Sequence, residues 1–372
     1  MKLIYSDVKN TILDIKVDKR TDVWNFGKDN AYPSLIEQLI SMSVTSKAVT
    51  DKVAKAIYGK SFGEIGDRIV NSDGQSLNEV LRIASREYSK HNNIFLAVGY
   101  DATLKVNSLK VIPNTHVRKG KSDDKGYSGK FIVYSNWDRQ ESGRIDPKKF
   151  QIIDVYNSKE NVITAQIEAA GSIKNYKGQV LHIQKDSNAI YSLSDLNTVQ
   201  GEALLEANAQ TFRSRGAERG FLNTKLMVTQ PFASEDEREE FQDNLENLQG
   251  GENSGRVLML EASATTDDLN NQMKLEDLSS PYNDTLFEYS EMQSKKQISL
   301  AFAVPLGLID VSDTSLFGNS GELLKTMKTI LWESREEDRD MIEEAFQMIA
   351  DNWTSGDIGE LKIINPIQQT EQ

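Results

Sequence analysis

The chain has 372 residues, 38% of them hydrophobic, so it can form two or three domains and bury at least one sizeable core. It contains no cysteine, which excludes disulfides, thiolate metal sites and cysteine nucleophiles. Its formal net charge of -13, from 56 acidic and 43 basic residues, argues against a protein that grips the phosphate backbone of nucleic acid.

Neither a membrane segment nor a secretion signal is predicted. No apolar run approaches the roughly 20 residues that span a bilayer. The first ten residues, MKLIYSDVKN, lack the basic and then apolar regions of a signal peptide. We therefore expect a cytoplasmic protein.

The sequence also lacks the usual motifs for a metal or a nucleotide. The three histidines, His91, His116 and His182, do not have the spacing of zinc ligands on one helix, so a zinc site would need ligands from distant segments. Neither GKS tripeptide, at 59–61 or 120–122, has a glycine five residues before its own, so no P-loop is predicted. We expect no metal, cofactor or catalytic residue.

The first 196 residues have a mixed α and β pattern. Helical apolar spacing follows Pro33 and ends at Gly59, and a capping box formed by Ser76 and Glu79 predicts a further helix. Short β-branched or aromatic runs then predict a small antiparallel sheet or barrel. These runs cover 94–100, 109–112, 131–134, 151–155, 163–167 and 180–183.

Helical patterns dominate after about residue 190. Helices are predicted over 201–217 and 283–302, the second with a polar middle. Between them, strands at 224–229 and 256–261 flank a helix over 234–249 that carries seven acids and the single base Arg238. We interpret this as a small α/β insertion.

The C-terminal part is predicted to begin with an irregular stretch over 304–320. A capping box of Asn319 and Glu322 then begins one long helix that reaches about residue 352. This helix is apolar at both ends and wholly charged or polar from Glu333 to Asp340, which predicts a solvated middle. One strand is predicted at 361–364, followed by a polar tail.

Four sequence stretches occur in a characteristic order. They are TFRSRGAERGFL at a helix end, EEFQDNLENLQGGENSGRVLMLE from the acidic helix into a strand, ISLAFAVP at a second helix end, and LFGNSGELLKTMKTILW at the start of the long helix. VIPN at 111–114 and VLHI at 180–183 precede them. In these motifs and their order, the chain resembles the portal proteins of long-tailed bacteriophages over about 250 residues.

The resemblance implies an α+β portal fold: a mixed α/β wing, two stem helices flanking a small α/β clip, a tunnel loop, a long helix and a minimal crown. The segments would be the wing at 1–196, the first stem helix at 197–218, the clip at 219–278, the second stem helix at 279–303, the tunnel loop at 304–318, the long wing or crown helix at 319–353 and the C-terminal strand and tail at 354–372.

The resemblance also implies two sets of working residues. The narrowest part of the channel would be formed by Asp310, Ser312, Asp313, Thr314, Ser315, Leu316 and Phe317. Docking of the packaging motor or the tail adaptor would involve the acids of the clip helix, Glu235, Asp236, Glu239, Glu240 and Asp243.

The implied function is structural. Identical copies would form a ring, a dodecamer, at one capsid vertex, through which double-stranded DNA is packaged and ejected without specific binding. The implied partners are the large terminase ATPase, the major capsid protein and the head-tail connector, with no membrane. The protein would lie in the virion, and in the host cytoplasm during assembly. An acidic or uncharged channel wall suits a moving polyanion, because each basic residue would add a phosphate contact.

Three other functions remain open from the sequence. A metal-dependent nuclease could use paired carboxylates such as Asp123 and Asp124, or Asp267 and Asp268. The chain could also be another head-tail connector or capsid component, or an acidic scaffold that binds partners through its helices. Oligomeric state distinguishes a ring from most of these.

Overall fold

The computed structural model describes residues 15–124, 127–139, 145–219, 225–229, 234–240, 243, 257–261, 273–277, 284–310, 320–354, 356 and 358–367. Predictions for the remaining residues lie outside this part of the chain. The chain forms two compact units, one of Met1–Leu204 with Ser294–Gln372 and the other of Leu205–Gln293. The second unit is therefore an insertion in the first.

The longer helices of the described residues are α1 (Tyr32–Met42), α2 (Val44–Tyr58), α3 (Leu77–His91), α4 (Glu160–Ala169), α5 (Gln200–Arg219), α6 (Asp284–Ala301), α7 (Ser320–Glu333) and α8 (Glu336–Ala350). The strands are β1 (Val17–Asp18), β2 (Val23–Trp24), β3 (Asn93–Tyr100), β4 (Val106–Ile112), β5 (Val117–Lys119), β6 (Lys130–Val133), β7 (Gln151–Val155), β8 (Gln179–Gln184), β9 (Lys225–Thr229), β10 (Val257–Glu261) and β11 (Met273–Asp277). None of the helices in these ranges is both long and apolar enough to cross a membrane.

Six strands of the first unit form one open, mixed sheet. Their order is β4-β3-β8-β7-β6-β5, and every pair is antiparallel except β7 with β8. A parallel pair needs a crossover connection, and α4 supplies it. The predicted strand at 163–167 is therefore wrong, since these residues lie in α4 and bury Ile163. The prediction of a purely antiparallel sheet is also wrong.

The main core lies between one face of this sheet and the helices. α3 begins at the predicted capping box, in which the Glu79 amide donates to Ser76 Oγ at 3.2 Å and the Ser76 amide donates to Glu79 Oε2 at 3.0 Å. It ends at Asn92, which adopts the left-handed conformation. Phe131 and Ile132 on β6 show the alternation of the sheet, because Phe131 joins the main core and Ile132 a smaller cluster.

The predicted long helix of 319–353 is divided in two. α7 and α8 are separated at Ser334 and Arg335, and Arg335 has backbone angles of -113° and 14°. The prediction of a solvated middle holds for Glu333, Ser334, Glu336, Glu337 and Asp340, which are exposed. It is wrong for Arg335, Asp338 and Arg339, whose side chains are buried. Each finds polar partners inside the protein.

The predicted strand at 361–364 is also wrong. The Leu361 amide donates to Gln347 Oε1 and the Ile363 amide to Glu343 Oε1, each at 2.7 Å, so side chains of α8 replace a strand ladder. Leu361 and Ile363 point into the core. The alternating pattern was real, but the amides of Leu361 and Ile363 pair with helix side chains, and within the described part of the chain only Ile364 pairs with other backbone groups, those of Lys60 and Ser61.

The second unit contains a three-stranded sheet of order β10-β9-β11. β9 and β10 are parallel and β11 is antiparallel to β9. Residues 235–240 and 243, between the parallel strands, are helical. Both predicted strands and the helix are confirmed in the described residues, whereas β11 was not predicted.

Candidate functional site

Of the predicted tunnel loop at 304–318, the structure describes residues 304–310, and Asp310 is the one predicted channel residue among them. Ser312, Asp313, Thr314, Ser315, Leu316 and Phe317 lie outside the described residues. Asp310 ends the described segment, and its Oδ2 accepts a hydrogen bond from Lys295 Nζ at 3.3 Å. The Asp310 amide donates to Leu306 O at 2.9 Å. An ion pair and a short turn thus hold the last described residue of this loop segment.

The ISLAFAVP motif builds the end of α6. The Val304 amide donates to Ser299 O and the Ala303 amide donates to Leu300 O, which is the pairing of a Schellman cap. Ala303 occupies the left-handed position of this cap with φ of 49°, where glycine is usual. Phe302 on the preceding residue is fully buried. The motif therefore stops the helix and fixes the direction of the chain that follows.

A buried polar network anchors this segment to the rest of the first unit. Arg335 Nη2 donates to Phe302 O, and Arg335 Nη1 lies 3.2 Å from Asp338 Oδ2 and 3.8 Å from Asp195 Oδ2. Tyr88 Oη donates to Asp338 Oδ1 at 2.6 Å. Burial, and next the charge of Asp338, raise the pKa of Tyr88, which keeps its hydroxyl protonated as a donor.

The network continues to α3 and β8 through Asp195. Asn92 Nδ2 donates to Asp195 Oδ1 at 2.8 Å, and Lys185 Nζ lies 3.0 Å from the same oxygen. Two cations, Arg335 and Lys185, therefore face the two carboxylates. Arg335 and the two carboxylates can remain buried because each charge has partners, while Lys185 reaches this set from an exposed position.

Sequence reasoning missed this network. Arg335, Asp338 and Arg339 continue the helical stripe that Leu331 begins and Ile342 resumes, with steps of three or four residues. That spacing was the available signal, since the polar run occupies the face that is apolar on either side. The charged residue types pointed to an exposed segment instead, because charged side chains are rarely buried unless they are paired.

The two predicted stem helices touch within the first unit. Ser294 Oγ on α6 donates to Glu202 Oε2 on α5 at 2.6 Å, and Ala203 and Ile298 are fully buried near this bond. Within the second unit, Arg213 on α5 forms an ion pair with Glu291 on α6. The two helices are therefore joined by polar contacts, as the polar middle of α6 requires.

The predicted docking acids of the second unit are solvent-exposed. Glu235, Asp236, Glu239, Glu240 and Asp243 are all exposed and helical. Arg238, between them, donates from Nη1 to Glu235 Oε1 at 3.2 Å. The helix thus presents a dense negative surface to solvent, which can attract basic partners.

One grouping of three potential metal ligands occurs in the described part of the chain. Carboxylate and imidazole atoms of Glu37, Glu87 and His91 lie within 4.8 Å of one another. Lys90 Nζ, however, is 3.3 Å from Glu37 and 3.4 Å from Glu87, and Asn114 donates twice to Glu87 Oε2. The ammonium group takes the place of a metal cation. The His91 hydrogen bond, with the charges of His91 and Lys90, lowers the pKa of Glu37 to about 2.

The structure gives little support to the carboxylate pairs that were considered for a metal-dependent nuclease. Asp123 and Asp124 are exposed, and Asp123 Oδ1 accepts the Tyr127 amide at 2.8 Å in a turn. Asp267 and Asp268 lie outside the described residues. Among the described residues, neither Asp123 nor Asp124 belongs to a grouping of three metal ligands.

Solved structures show where this fold occurs. A chain in the neck of a native gene transfer agent (GTA) particle, computed with C12 symmetry, is similar with a TM-score of 0.60 and 12% identity, covering 93% of this chain and 87% of that one. A chain in the virion of the native GTA particle is similar with a TM-score of 0.58 and 12% identity, covering 88% and 82%. The expected α+β fold class is confirmed, and the chain has the fold of these virion and neck chains.

A phage portal protein of the HK97 family from Corynebacterium diphtheriae is similar with a TM-score of 0.40 and 9% identity, covering 79% of this chain and 83% of that one. No protein-family model matches the chain, and no curated protein matches it.

Proposed function

We propose that the chain is a portal subunit, one copy of a ring at a capsid vertex through which double-stranded DNA enters and leaves. The observation that carries the proposal is the shared fold with a neck chain over 93% of this chain. The order of the sequence motifs, which resembles that of phage portal proteins, is independent support. The role is structural rather than catalytic.

The ring is proposed to contain twelve copies. A neck of similar fold was computed with C12 symmetry, and another with C6 symmetry. A head-to-tail ring repeats one interface at every subunit, so modest contacts give a stable annulus. The major capsid protein, the head-tail connector and the large terminase ATPase would dock on this ring, the terminase on the exposed acids of the second unit.

DNA is proposed to pass with weak, non-specific contact. The predicted tunnel loop from 309 to 318 contains Asp310 and Asp313 and no lysine or arginine. A wall without basic residues makes few phosphate contacts, so it releases few counterions and does not retain the DNA. The net charge of -13 per copy agrees with this role.

Electron microscopy of the purified protein, combined with sedimentation at several salt concentrations, tests the ring. We expect closed rings with a central channel. Monomers or dimers under every condition would contradict the proposal.

Packaging separates the portal from the second candidate, another head-tail connector. Capsid shells assembled with the chain should take up DNA when terminase and ATP are added. A connector instead would be dispensable for uptake and required only for tail attachment.

A further inference from the structure

A cavity of about 300 Å³ opens at the β5-β6-β7-β8 part of the sheet in the first unit. Its wall combines apolar and aromatic side chains, among them Trp24, Phe131, Tyr156 and Ile190, with polar ones. The polar side chains are Lys119, Ser122, Ser128, His182 and Gln184, of which Lys119 and His182 carry the argument below. The volume is at the small end of ligand pockets, which usually combine an apolar wall with a few polar groups. Nothing in the proposed ring function uses this cavity.

Lys119 contributes an ammonium group that has no anionic partner among the described residues. On β5, the neighbouring Arg118 donates to Asn30 on the other side of the strand, and Lys119 faces the cavity because side chains alternate. The Lys119 amide donates to Tyr191 Oη, but its ammonium group has neither a hydrogen bond nor an ion pair among the described residues. Burial lowers the pKa of Lys119 to about 8.

His182 contributes a hydrogen-bond acceptor, and its contacts define which ring nitrogen this is. Asn93 Nδ2 donates to two carbonyls, those of His91 and Ser192, so Asn93 Oδ1 is the atom that faces His182 Nε2 at 3.0 Å. Nε2 therefore carries the proton. Burial, and next the charge of Lys119, hold the pKa of His182 well below its usual range, so the ring is neutral and Nδ1 is a lone-pair acceptor.

Nδ1 of His182 has no partner among the described residues, which leaves this acceptor and the ammonium of Lys119 both open to an occupant. A half-buried ammonium without an anion is unfavourable, and an anionic ligand would offset the lost solvation. The apolar side chains of Phe131 and Ile190 favour an organic body over a bare inorganic anion.

We infer that this cavity binds a small aromatic hydroxy acid, with the carboxylate on Lys119, the ring against Phe131 and Ile190, and the hydroxyl donating to His182. Inorganic phosphate matches only the charge. An uncharged phenol matches only the wall and the acceptor. The three parts of the ligand correspond to three groups of the cavity.

Calorimetric titration of the full chain with 4-hydroxyphenylacetate tests this site. We expect binding in the millimolar range or tighter, weakened by about tenfold or more when Lys119 is replaced by methionine, because a charge-assisted hydrogen bond is lost. Lys121→Met is the matched control, since Lys121 is exposed two residues further along and should leave binding unchanged. Binding should also weaken as the pH rises through 8, where the ammonium group loses its proton.

Several results would overturn the inference. These are no binding of the probe at millimolar concentration, equal binding by the Lys119→Met variant, equal binding of 4-methylphenol or inorganic phosphate, or an acidic side chain of a neighbouring copy seated at Lys119 in ring images. The melting temperature of Lys119→Met shows that the variant is folded. It should equal or exceed that of the wild type, because an unpaired cation has been removed.

Discussion

Tyr88 on α3 donates a 2.6 Å hydrogen bond to Asp338 on α8, and the two residues lie 250 positions apart in the chain. Tyr88 is fully buried, and Asp338 is nearly so. Tyr88→Phe removes the donor and leaves Asp338 with Arg335 alone. We expect a loss of about 1–3 kcal/mol in the free energy of unfolding, measured with a chemical denaturant. Tyr289→Phe, at a position that is 65% exposed, is the control and should change it by less than about 0.5 kcal/mol.

We expect Arg335 to contribute more than Tyr88 to the free energy of unfolding. Arg335→Met leaves Asp338 and Asp195 facing each other with less compensating charge and Phe302 O without its donor. We expect a loss of about 3–5 kcal/mol. The double variant Arg335→Met with Asp338→Leu should recover part of this loss, since it also removes the unpaired carboxylate. A double variant that is less stable than either single one would contradict the network.

Ala303 offers a stabilising substitution. Its φ of 49° favours glycine, so Ala303→Gly should raise the free energy of unfolding by about 1 kcal/mol. Ala301→Gly, two residues earlier and still in α6, should lower it by about 0.5–1 kcal/mol. Thermal unfolding of the two variants compares them directly. Changes of the same sign would show that the cap is not formed as described.

Acid should remove the stability that Glu37 provides. Because the pKa of Glu37 falls from an ordinary 4.5 to about 2 on folding, its contribution is present above pH 4.5 and is lost as the pH falls toward 2. Glu37→Gln should flatten the dependence of stability on pH in that window. Glu64→Gln, at an exposed position of the same unit, should leave the dependence as it is in the wild type.

The acidic helix of the second unit tests the proposed docking. Reversing the charge at Glu239 and Glu240 should weaken terminase binding, and more strongly at low salt, because exposed charges are screened by ions. Reversal at Glu160 and Glu168, which are exposed on α4, is the control. Unchanged motor binding by rings of the first variant would exclude this helix as the docking surface.

The elements that local sequence signals determine were predicted well. The capping box at Ser76 and the parallel strands β9 and β10 are where the pattern placed them. These signals arise from residues within a few positions of one another, so they can be recognised in the sequence without knowledge of the fold. The wing, clip and tunnel-loop boundaries, and the roles of their residues, remain predictions.

The predictions that were wrong concern elements whose structure depends on residues distant in the sequence. At the helix break, Arg335 pairs with Asp195 and Asp338, and Asp338 accepts a hydrogen bond from Tyr88. The segment at 361–364 is held by side chains of α8. α4 was taken for a strand because Ile163 and Ile167 fit an alternating pattern, although a crossover was needed between β7 and β8. In each case the tertiary arrangement decided between local alternatives of similar free energy.

The hydrogen bond between Glu202 and Ser294 has a consequence for how such a protein can change over time. It brings the two points where the chain leaves and re-enters the first unit within 2.6 Å of each other at the side-chain level. An inserted unit whose two ends lie close together can be lengthened, shortened or exchanged while the first unit keeps its own contacts. The second unit can therefore diversify in sequence and length at a different pace from the first.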